Sequence, residues 1–281
     1  MDLILSLAPT GIVPTREMNP NVPISPREII DDVLECSEIG ITMVHLHARD
    51  EEGKPTYRKD VYAEIIEGIR EWDKDLVLCV SLSSRAAADY KKRVEPIELK
   101  DQLKPDMGSL TLSSLNFPSQ ASVNPPDVIQ SLARDMETRG IIPEIEIFDT
   151  GMINYMRYLV SKKILQPPFY VNVFLGGIAG AQIEHAGMLV QDLPEGSLWS
   201  LAGLGNAQLA ANAMGIAMGG GVRTGLEDMI YTNDSRKVLA TNVDMVKRIH
   251  AFAYEFGREV MRPEDFRRFM DMKRGRGQYG F

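Results

Sequence analysis

Eight short apolar runs, separated by segments with helical periodicity, constrain the fold of this chain more than any other feature. The runs predict strands at residues 3–7, 42–46, 76–82, 107–112, 141–148, 170–175, 197–202 and 214–222. Several are continuous stretches of Val, Ile and Leu, which is typical of parallel strands covered on both faces. Regular alternation of strand and helix predicts an α/β fold with a parallel sheet.

The segments between these runs carry helix signals. Ser25, Pro26 and Glu28 have the spacing of a capping box with proline at the first helical position, and Gly40 ends that segment. Further helices are predicted at residues 60–72, 125–139, 151–163, 206–214, 233–256 and 262–272. No change of composition divides the 281 residues. We therefore expect a single (β/α)8 TIM-barrel domain over residues 1–281.

Composition excludes several classes of function. Lys and Arg number 31 against 39 Asp and Glu, a net charge of −8 that disfavours nucleic-acid binding. Cys36 and Cys79 cannot form a disulfide framework, no run is long and apolar enough to span a membrane, and no signal peptide is evident. A cytoplasmic enzyme is the expectation. The sequence also lacks the glycine patterns of dinucleotide-binding and P-loop proteins.

The sharpest chemical signal is a pair of histidines. The active site of an α/β barrel lies at the C-terminal ends of its strands, and His45 and His47 stand at the end of the second predicted strand. Residues two apart on a strand point to the same side, so the two imidazoles can bind one metal ion. The alternative is a pair of hydrogen-bonded polar residues. The third, anionic ligand is either Glu227, after the eighth strand, or Glu146 on the fifth.

Two other features are less specific. Gly219, Gly220 and Gly221 predict either a tight turn or an anion-binding nest at the end of the last strand. The remaining histidines, His185 and His250, are interpreted as surface or packing residues.

The segment from Val44 to Asp50 resembles the His-x-His-x-Arg motif of the β-keto acid cleavage enzymes, and the similarity extends over essentially the whole chain. Matching segments occur, in order, at residues 9–11, 21–26, 109–117, 143–146, 174–176, 202–205 and 221–228. The resemblance implies a TIM barrel that condenses a β-keto acid with acetyl-CoA to give acetoacetate and a new acyl-CoA. It also implies a homotetramer.

The same resemblance implies a role for each site residue. The metal, usually zinc, is expected on His45, His47 and Glu227. Asp228 is the expected base, paired with Arg223, although these two could also form a purely structural ion pair. The substrate-binding positions that the resemblance implies are Ser81, Ser109 and Arg49.

One position departs from the family pattern. Val13 stands where the best-known member has a glutamate that recognises the amino group of its substrate, so we expect a substrate tail without an ammonium group. Arg85 could favour an anionic tail or lie in solvent. Two alternatives remain at this point: a metal-dependent hydrolase of the amidohydrolase type, and a non-catalytic metal-binding barrel.

Overall fold

Eight parallel strands close into a barrel in which neighbours in space are neighbours in the chain. The computed structural model describes residues 2–273 and 279–280. The strands are β1 (Leu5–Leu7), β2 (Met43–Leu46), β3 (Val77–Val80), β4 (Met107–Thr111), β5 (Ile142–Ile147), β6 (Phe169–Leu175), β7 (Ser197–Gly203) and β8 (Gly221–Thr224). This order confirms the predicted (β/α)8 architecture.

Helices connect the strands and cover the outside of the barrel. They are α1 (Pro26–Ile39), α2 (Lys59–Trp72), α3 (Tyr90–Val94), α4 (Pro126–Arg139), α5 (Thr150–Ser161), α6 (Ile183–Gln191), α7 (Ala207–Ala217), α8 (Asn242–Glu255) and α9 (Pro263–Phe269). The capping box that begins α1 is present: the Ser25 hydroxyl accepts the Glu28 amide, and the Glu28 carboxylate accepts the Ser25 amide. A search of the described residues finds no helix with the length and apolar character needed to cross a membrane.

The two-residue periodicity of the strands separates the barrel interior from its outer layer. On β2, Val44 and Leu46 pack into the cluster between strands and helices, while Met43 belongs to the interior cluster. The lower interior is apolar and is closed by α9, whose Phe266 meets the Tyr170 ring edge-on. Polar interior residues lie above this plug, toward the C-terminal ends of the strands, and this arrangement places the candidate site.

The structure corrects the prediction for the last strand. Residues 207–217, including the first part of the predicted strand at 214–222, are helical in α7, and β8 begins at Gly221. Both segments are apolar because helix and strand pack closely here: a Cβ on Gly215 would lie 2.6 Å from the Gly221 carbonyl oxygen. Gly219 and Gly220 therefore precede the strand and Gly221 begins it, so the predicted anion-binding nest at its C-terminal end is wrong.

The long helix predicted over residues 233–256 is also shorter than expected. Residues 233–241 form a loop in which the Asn233 side chain accepts the Ser235 amide, and α8 begins only after the Thr241 cap. A side chain that bonds to nearby backbone offers an alternative to the helix. Ala240, near the end of this loop, packs in one apolar cluster with Leu226, which follows β8.

Candidate active site

Two histidine side chains meet inside the mouth of the barrel. His45 is in β2 and His47 follows the strand, and because they are two residues apart both point inward. Their side chains are almost fully buried, and their Nε2 atoms lie 3.3 Å apart. The remaining histidines lie elsewhere: His185 is exposed and His250 bonds the Gly40 carbonyl oxygen.

Glu227 completes the group from the loop after β8. Its Oε1 lies 3.2 Å from His47 Nε2, and its Oε2 is buried with no hydrogen-bond partner among residues 2–273 and 279–280. Possible ligand atoms of His45, His47 and Glu227 all lie within 4.8 Å of one another. The loop that follows β1, called the β1 loop below, packs directly against this carboxylate, since a Cβ on Gly11 would lie 2.5 Å from Glu227 Cγ.

This donor set fits a divalent metal ion. Two nitrogen ligands at about 2.0–2.1 Å from a tetrahedral ion are themselves separated by about 3.3 Å, which matches the Nε2 spacing. Burial lowers the pKa of His47 to about 4, so its imidazole is neutral, the form that binds metals. The unpartnered oxygen of Glu227 supplies the anionic donor.

Glu144 holds His45 from behind. Its Oε2 lies 2.5 Å from His45 Nδ1 and 3.2 Å from Cys79 Sγ, while its Oε1 accepts the Asn172 amide at 2.7 Å. A carboxylate on Nδ1 orients the ring and leaves Nε2 for a metal. Although burial opposes it, the Glu144 charge raises the pKa of His45. Glu144 falls within the strand predicted at residues 141–148, but no sequence pattern assigns it a role. Its two-residue spacing from Glu146 was the available signal.

Glu146 is not grouped with the histidines. Its Oε2 accepts the Thr111 hydroxyl at 2.5 Å, and the metal-ligand groups found among the described residues contain Glu227 or Glu144 instead. Burial raises the pKa of Glu146, and the neighbouring Glu144 adds to the effect. Between the two candidates for the third ligand, the geometry favours Glu227.

Arg223 joins two carboxylates at the end of β8. Its guanidinium binds both oxygens of Asp228, with Nε–Oδ2 2.9 Å and Nη2–Oδ1 3.2 Å, and its Nη2 lies 2.9 Å from Glu227 Oε1. Burial raises the pKa of Asp228 even though Arg223 opposes this. Burial would also raise the pKa of Glu227, but Arg223 and the histidines hold it well below its usual value. The Nη1 atom of Arg223 is buried and has no hydrogen-bond partner in the part of the chain that the structure describes.

One cavity at the mouth of the barrel is lined by His45, His47, Arg223, Glu227 and Asp228. Its other walls are hydroxyl-bearing and aromatic residues: Ser81, Ser83, Thr111, Ser122, Phe117, Phe148 and Phe174, with Leu204, Arg85 and Glu146. Three side chains that could hold a metal ion, a carboxylate–guanidinium pair and several hydroxyl groups thus face a common space. Such a space can hold a small oxygen-rich anion.

Comparison with known proteins identifies the family of this chain. A profile of the beta-keto acid cleavage enzymes matches residues 2–272. The chain belongs to this family. It is 33% identical over 273 residues to the 3-keto-5-aminohexanoate cleavage enzyme of Fusobacterium nucleatum, covering 97% of this chain and 98% of that protein. It is also 33% identical over 263 residues to the 3-oxoadipate:acetyl-CoA acetyltransferase of Cupriavidus necator, covering 92% of this chain and 90% of that protein.

A solved structure supports the fold of this beta-keto acid cleavage enzyme. The apo structure of ObcA matches with a TM-score of 0.78 and 19% sequence identity, over 91% of this chain and 66% of that chain. The similarity at this level of identity concerns the barrel alone. The family membership that the His-x-His-x-Arg segment suggested is confirmed by the family profile.

The predicted substrate-binding residues of this family member occupy different environments. Ser81 lines the cavity. Ser109 is buried, and its hydroxyl accepts the Leu82 amide at 3.0 Å. Arg49 donates to the Gly11 and Pro14 carbonyl oxygens at 2.6 and 3.0 Å, so it supports the β1 loop.

Val13 belongs to that same β1 loop. Its side chain is 50% exposed, and the residues that line the cavity do not include it. Thr111, which sequence reasoning did not single out, does line the cavity at the end of β4. Only the strand register could have shown that Thr111 lies opposite Glu146.

Proposed function

We propose that this beta-keto acid cleavage enzyme transfers acyl groups between a β-keto acid and acetyl-CoA, giving acetoacetate and a new acyl-CoA. The observation that carries the proposal is the convergence of His45, His47 and Glu227 with the Arg223–Asp228 pair in one cavity. Two relatives are named 3-oxoadipate:acetyl-CoA acetyltransferase and 3,5-dioxohexanoate:acetyl-CoA acetone transferase. These names support a β-keto acid and acetyl-CoA as the two substrates.

In this proposal His45, His47 and Glu227 hold a divalent metal ion, and zinc is the ion that we propose. When bound, a divalent ion there supplies Lewis acidity toward the keto and carboxylate oxygens of the substrate. Glu144 orients His45 for this purpose through the 2.5 Å contact at Nδ1. Arg223 presents its unpartnered Nη1 as a donor for a substrate oxygen.

Asp228 is the proposed base. It removes a proton from the carbon between the keto and carboxylate groups, and that carbon bonds to the acetyl carbonyl carbon as the C–S bond of acetyl-CoA breaks. The CoA thiolate then bonds to the original keto carbon, and the carbon–carbon bond to the α-carbon breaks. Asp228 returns its proton to the acetoacetate carbon, so atoms and charge balance. Arg223 holds the carboxylate in a fixed orientation by its two hydrogen bonds.

The direct test is an assay of purified protein with β-keto acids and acetyl-CoA. We expect acetoacetate and acyl-CoA in equal amounts, dependent on acetyl-CoA. Hydrolysis without CoA would instead indicate an amidohydrolase-like activity. No turnover across keto acids with neutral, cationic and anionic tails, with zinc, manganese or cobalt added, would overturn the proposal.

The role of Asp228 predicts a specific kinetic defect. Asp228→Asn should lower kcat by at least about 10²-fold, because a positioned general base contributes that much or more. Metal content and the unfolding midpoint should stay near those of the wild type. The matched control is Asp234→Asn, an exposed position of the same loop, which should keep full activity. Normal kcat in Asp228→Asn would contradict the assignment.

Two further properties are part of the proposal. We propose a homotetramer, which the family resemblance supports and light scattering of the purified protein can test. We also propose that the enzyme works in the cytoplasm, to be checked by fractionation of cells that express the intact chain.

A further inference from the structure

Three phenylalanine rings form a wall of the cavity between two guanidinium groups. Phe117 meets Phe148 edge-on with centroids 5.9 Å apart, and Phe148 stacks on Phe174 at 4.6 Å. Arg223 lies over Phe174 at 5.1 Å from the ring centroid, and Arg85 lies over Phe117 at 3.9 Å. All five side chains line the cavity. The wall therefore runs from the metal-ligand end to a second cation.

The two guanidinium groups differ in how their charge is balanced. Arg223 is bound by the carboxylates of Asp228 and Glu227. Within residues 2–273 and 279–280, by contrast, no carboxylate forms an ion pair with Arg85, whose side chain stacks on Phe117. Stacking on an aromatic face leaves the N–H groups in the guanidinium plane free to bind an anion. Hydroxyl groups of Ser81, Ser83 and Ser122 lie along the same cavity.

His47 and Arg85 both line this cavity, and Arg85 lies at its Phe117 end. A small molecule that lies along the phenylalanine wall therefore faces both groups.

We propose that Arg85 selects β-keto acids whose tail ends in a second carboxylate, with the chain of the molecule lying against the phenylalanine wall. This inference rests on the proposed function, which places the keto acid head at His45, His47 and Glu227. A tail with an ammonium group is disfavoured by the same unpaired cation, and a neutral tail gains only the apolar contact.

One cavity residue works in the opposite direction. A charged Glu146 would favour an ammonium tail, but its Oε2 already accepts the Thr111 hydroxyl, and burial disfavours its charged form. Arg85 is the better candidate for the selectivity because its donors in the described part of the chain have no acidic partner.

The kinetic test compares 3-oxoadipate with 3-oxohexanoate, which has a methyl group in place of the second carboxylate, and with 3-keto-5-aminohexanoate. Wild type should favour 3-oxoadipate over 3-oxohexanoate by at least tenfold in kcat/KM, with the aminated substrate poorest. Arg85→Met should reduce this ratio to below threefold, mainly by loss of 3-oxoadipate turnover, and Arg85→Lys should restore part of it. Arg58→Met is the matched control, since exposed Arg58 pairs with Glu51 and Asp60 and does not line the cavity.

A binding test separates the two proposals. Adipate and hexanoate, measured calorimetrically without acetyl-CoA, should differ at least tenfold in affinity for wild type and less than threefold for Arg85→Met. If no keto acid turns over but this difference holds, the proposed function fails and the role of Arg85 stands. If keto acids turn over with no tail preference, with a preference unchanged in Arg85→Met, or with a preference for the aminated substrate, the role of Arg85 is overturned.

Discussion

At the scale of single residues, Gly11 shows how closely the loop after β1 approaches the proposed metal ligand Glu227. Its φ of +64° is unfavourable for any other residue, and an added Cβ would lie 2.5 Å from Glu227 Cγ. Gly196 has a similar φ of +79° but nothing within 4 Å of the added Cβ. A substitution at either position therefore has the same unfavourable backbone conformation, but only the one at Gly11 would contact Glu227.

We predict that Gly11→Ala and Gly196→Ala each lose about 1–2 kcal/mol of unfolding free energy from the left-handed backbone. Only Gly11→Ala should also weaken zinc binding, by about tenfold or more, because Glu227 must move. Chelator competition gives the zinc affinity and urea unfolding gives the stability. Equal zinc affinity in the two variants would show that the β1 loop does not hold the ligand in place.

The histidine pair carries the strongest prediction at this scale. His45→Ala or His47→Ala should remove the bound divalent ion and abolish turnover, since each deletes a nitrogen donor whose partner is 3.3 Å away. His250→Ala is the control, because His250 bonds the Gly40 carbonyl oxygen outside the cavity. Elemental analysis of the purified variants measures the ion. Retention of a stoichiometric metal in both histidine variants would disprove the ligand assignment.

At the scale of elements, Asn242 at the start of α8 ties two helices to two loops of the site. Its side-chain nitrogen donates to Asp32 on α1 at 2.7 Å and to the Pro9 carbonyl oxygen at 3.1 Å, and its oxygen accepts the Leu226 amide at 2.9 Å. The packing of α1 against α8 therefore helps to fix the positions of the loops that carry Gly11 and Glu227. The partly buried acceptor Asp32 makes this connection sensitive to pH.

Burial raises the pKa of Asp32 from 3.8 to about 7, against the opposing hydrogen bond from Asn242. Between these pH values the folded state keeps a proton that the unfolded state has lost. The contribution of Asp32 to the free energy of unfolding should therefore fall as pH rises from 3.8 to about 7 and level off above that range. The difference in unfolding free energy between wild type and Asp32→Asn, measured at several pH values, isolates this contribution from those of other groups. The exposed Asp31→Asn should keep the wild-type profile, and a difference between wild type and Asp32→Asn that does not change with pH would contradict the assignment.

At the scale of the whole molecule, one end of the barrel carries the candidate site and the opposite end carries a buried ion-pair network that stabilises the fold. Asp106, at the end opposite the site, accepts two bonds from Arg267 at 2.7 and 2.8 Å and one from Arg70 at 3.2 Å. It also accepts the Leu78 amide at 3.0 Å. This buried carboxylate joins α9 and α2 to the strands and closes the bottom of the barrel.

Asp106→Ala should lower the free energy of unfolding by about 3–5 kcal/mol, because two buried guanidinium groups lose their counter-charge. The exposed Asp265–Arg268 pair is the comparison, and Asp265→Ala should cost at most about 1 kcal/mol. Urea unfolding gives both values. Zinc affinity of the folded fraction should be the same in both variants, and a loss of affinity in Asp106→Ala alone would show that the two ends are coupled.

The sequence by itself determined the barrel and indicated the histidine pair of the candidate site. Strand alternation is local, so the runs around Val44 and Ile145 were visible as buried strands, and the period of two placed His45 and His47 on one side. The capping box at Ser25 is likewise a pattern over four residues. The family resemblance supplied Glu227, Arg223 and Asp228 as site residues.

Only the tertiary structure decided which distant groups meet. The choice of Glu227 over Glu146 depends on how the loop after β8 folds across the barrel mouth, and the role of Glu144 depends on its contact with His45 from a strand 99 residues away in sequence. Arg49 reaches backbone carbonyl oxygens, and Arg85 reaches Phe117, through contacts that no local pattern encodes. Periodicity reports which face of an element is buried, whereas the partner on the other side of that face depends on the closure of the whole barrel.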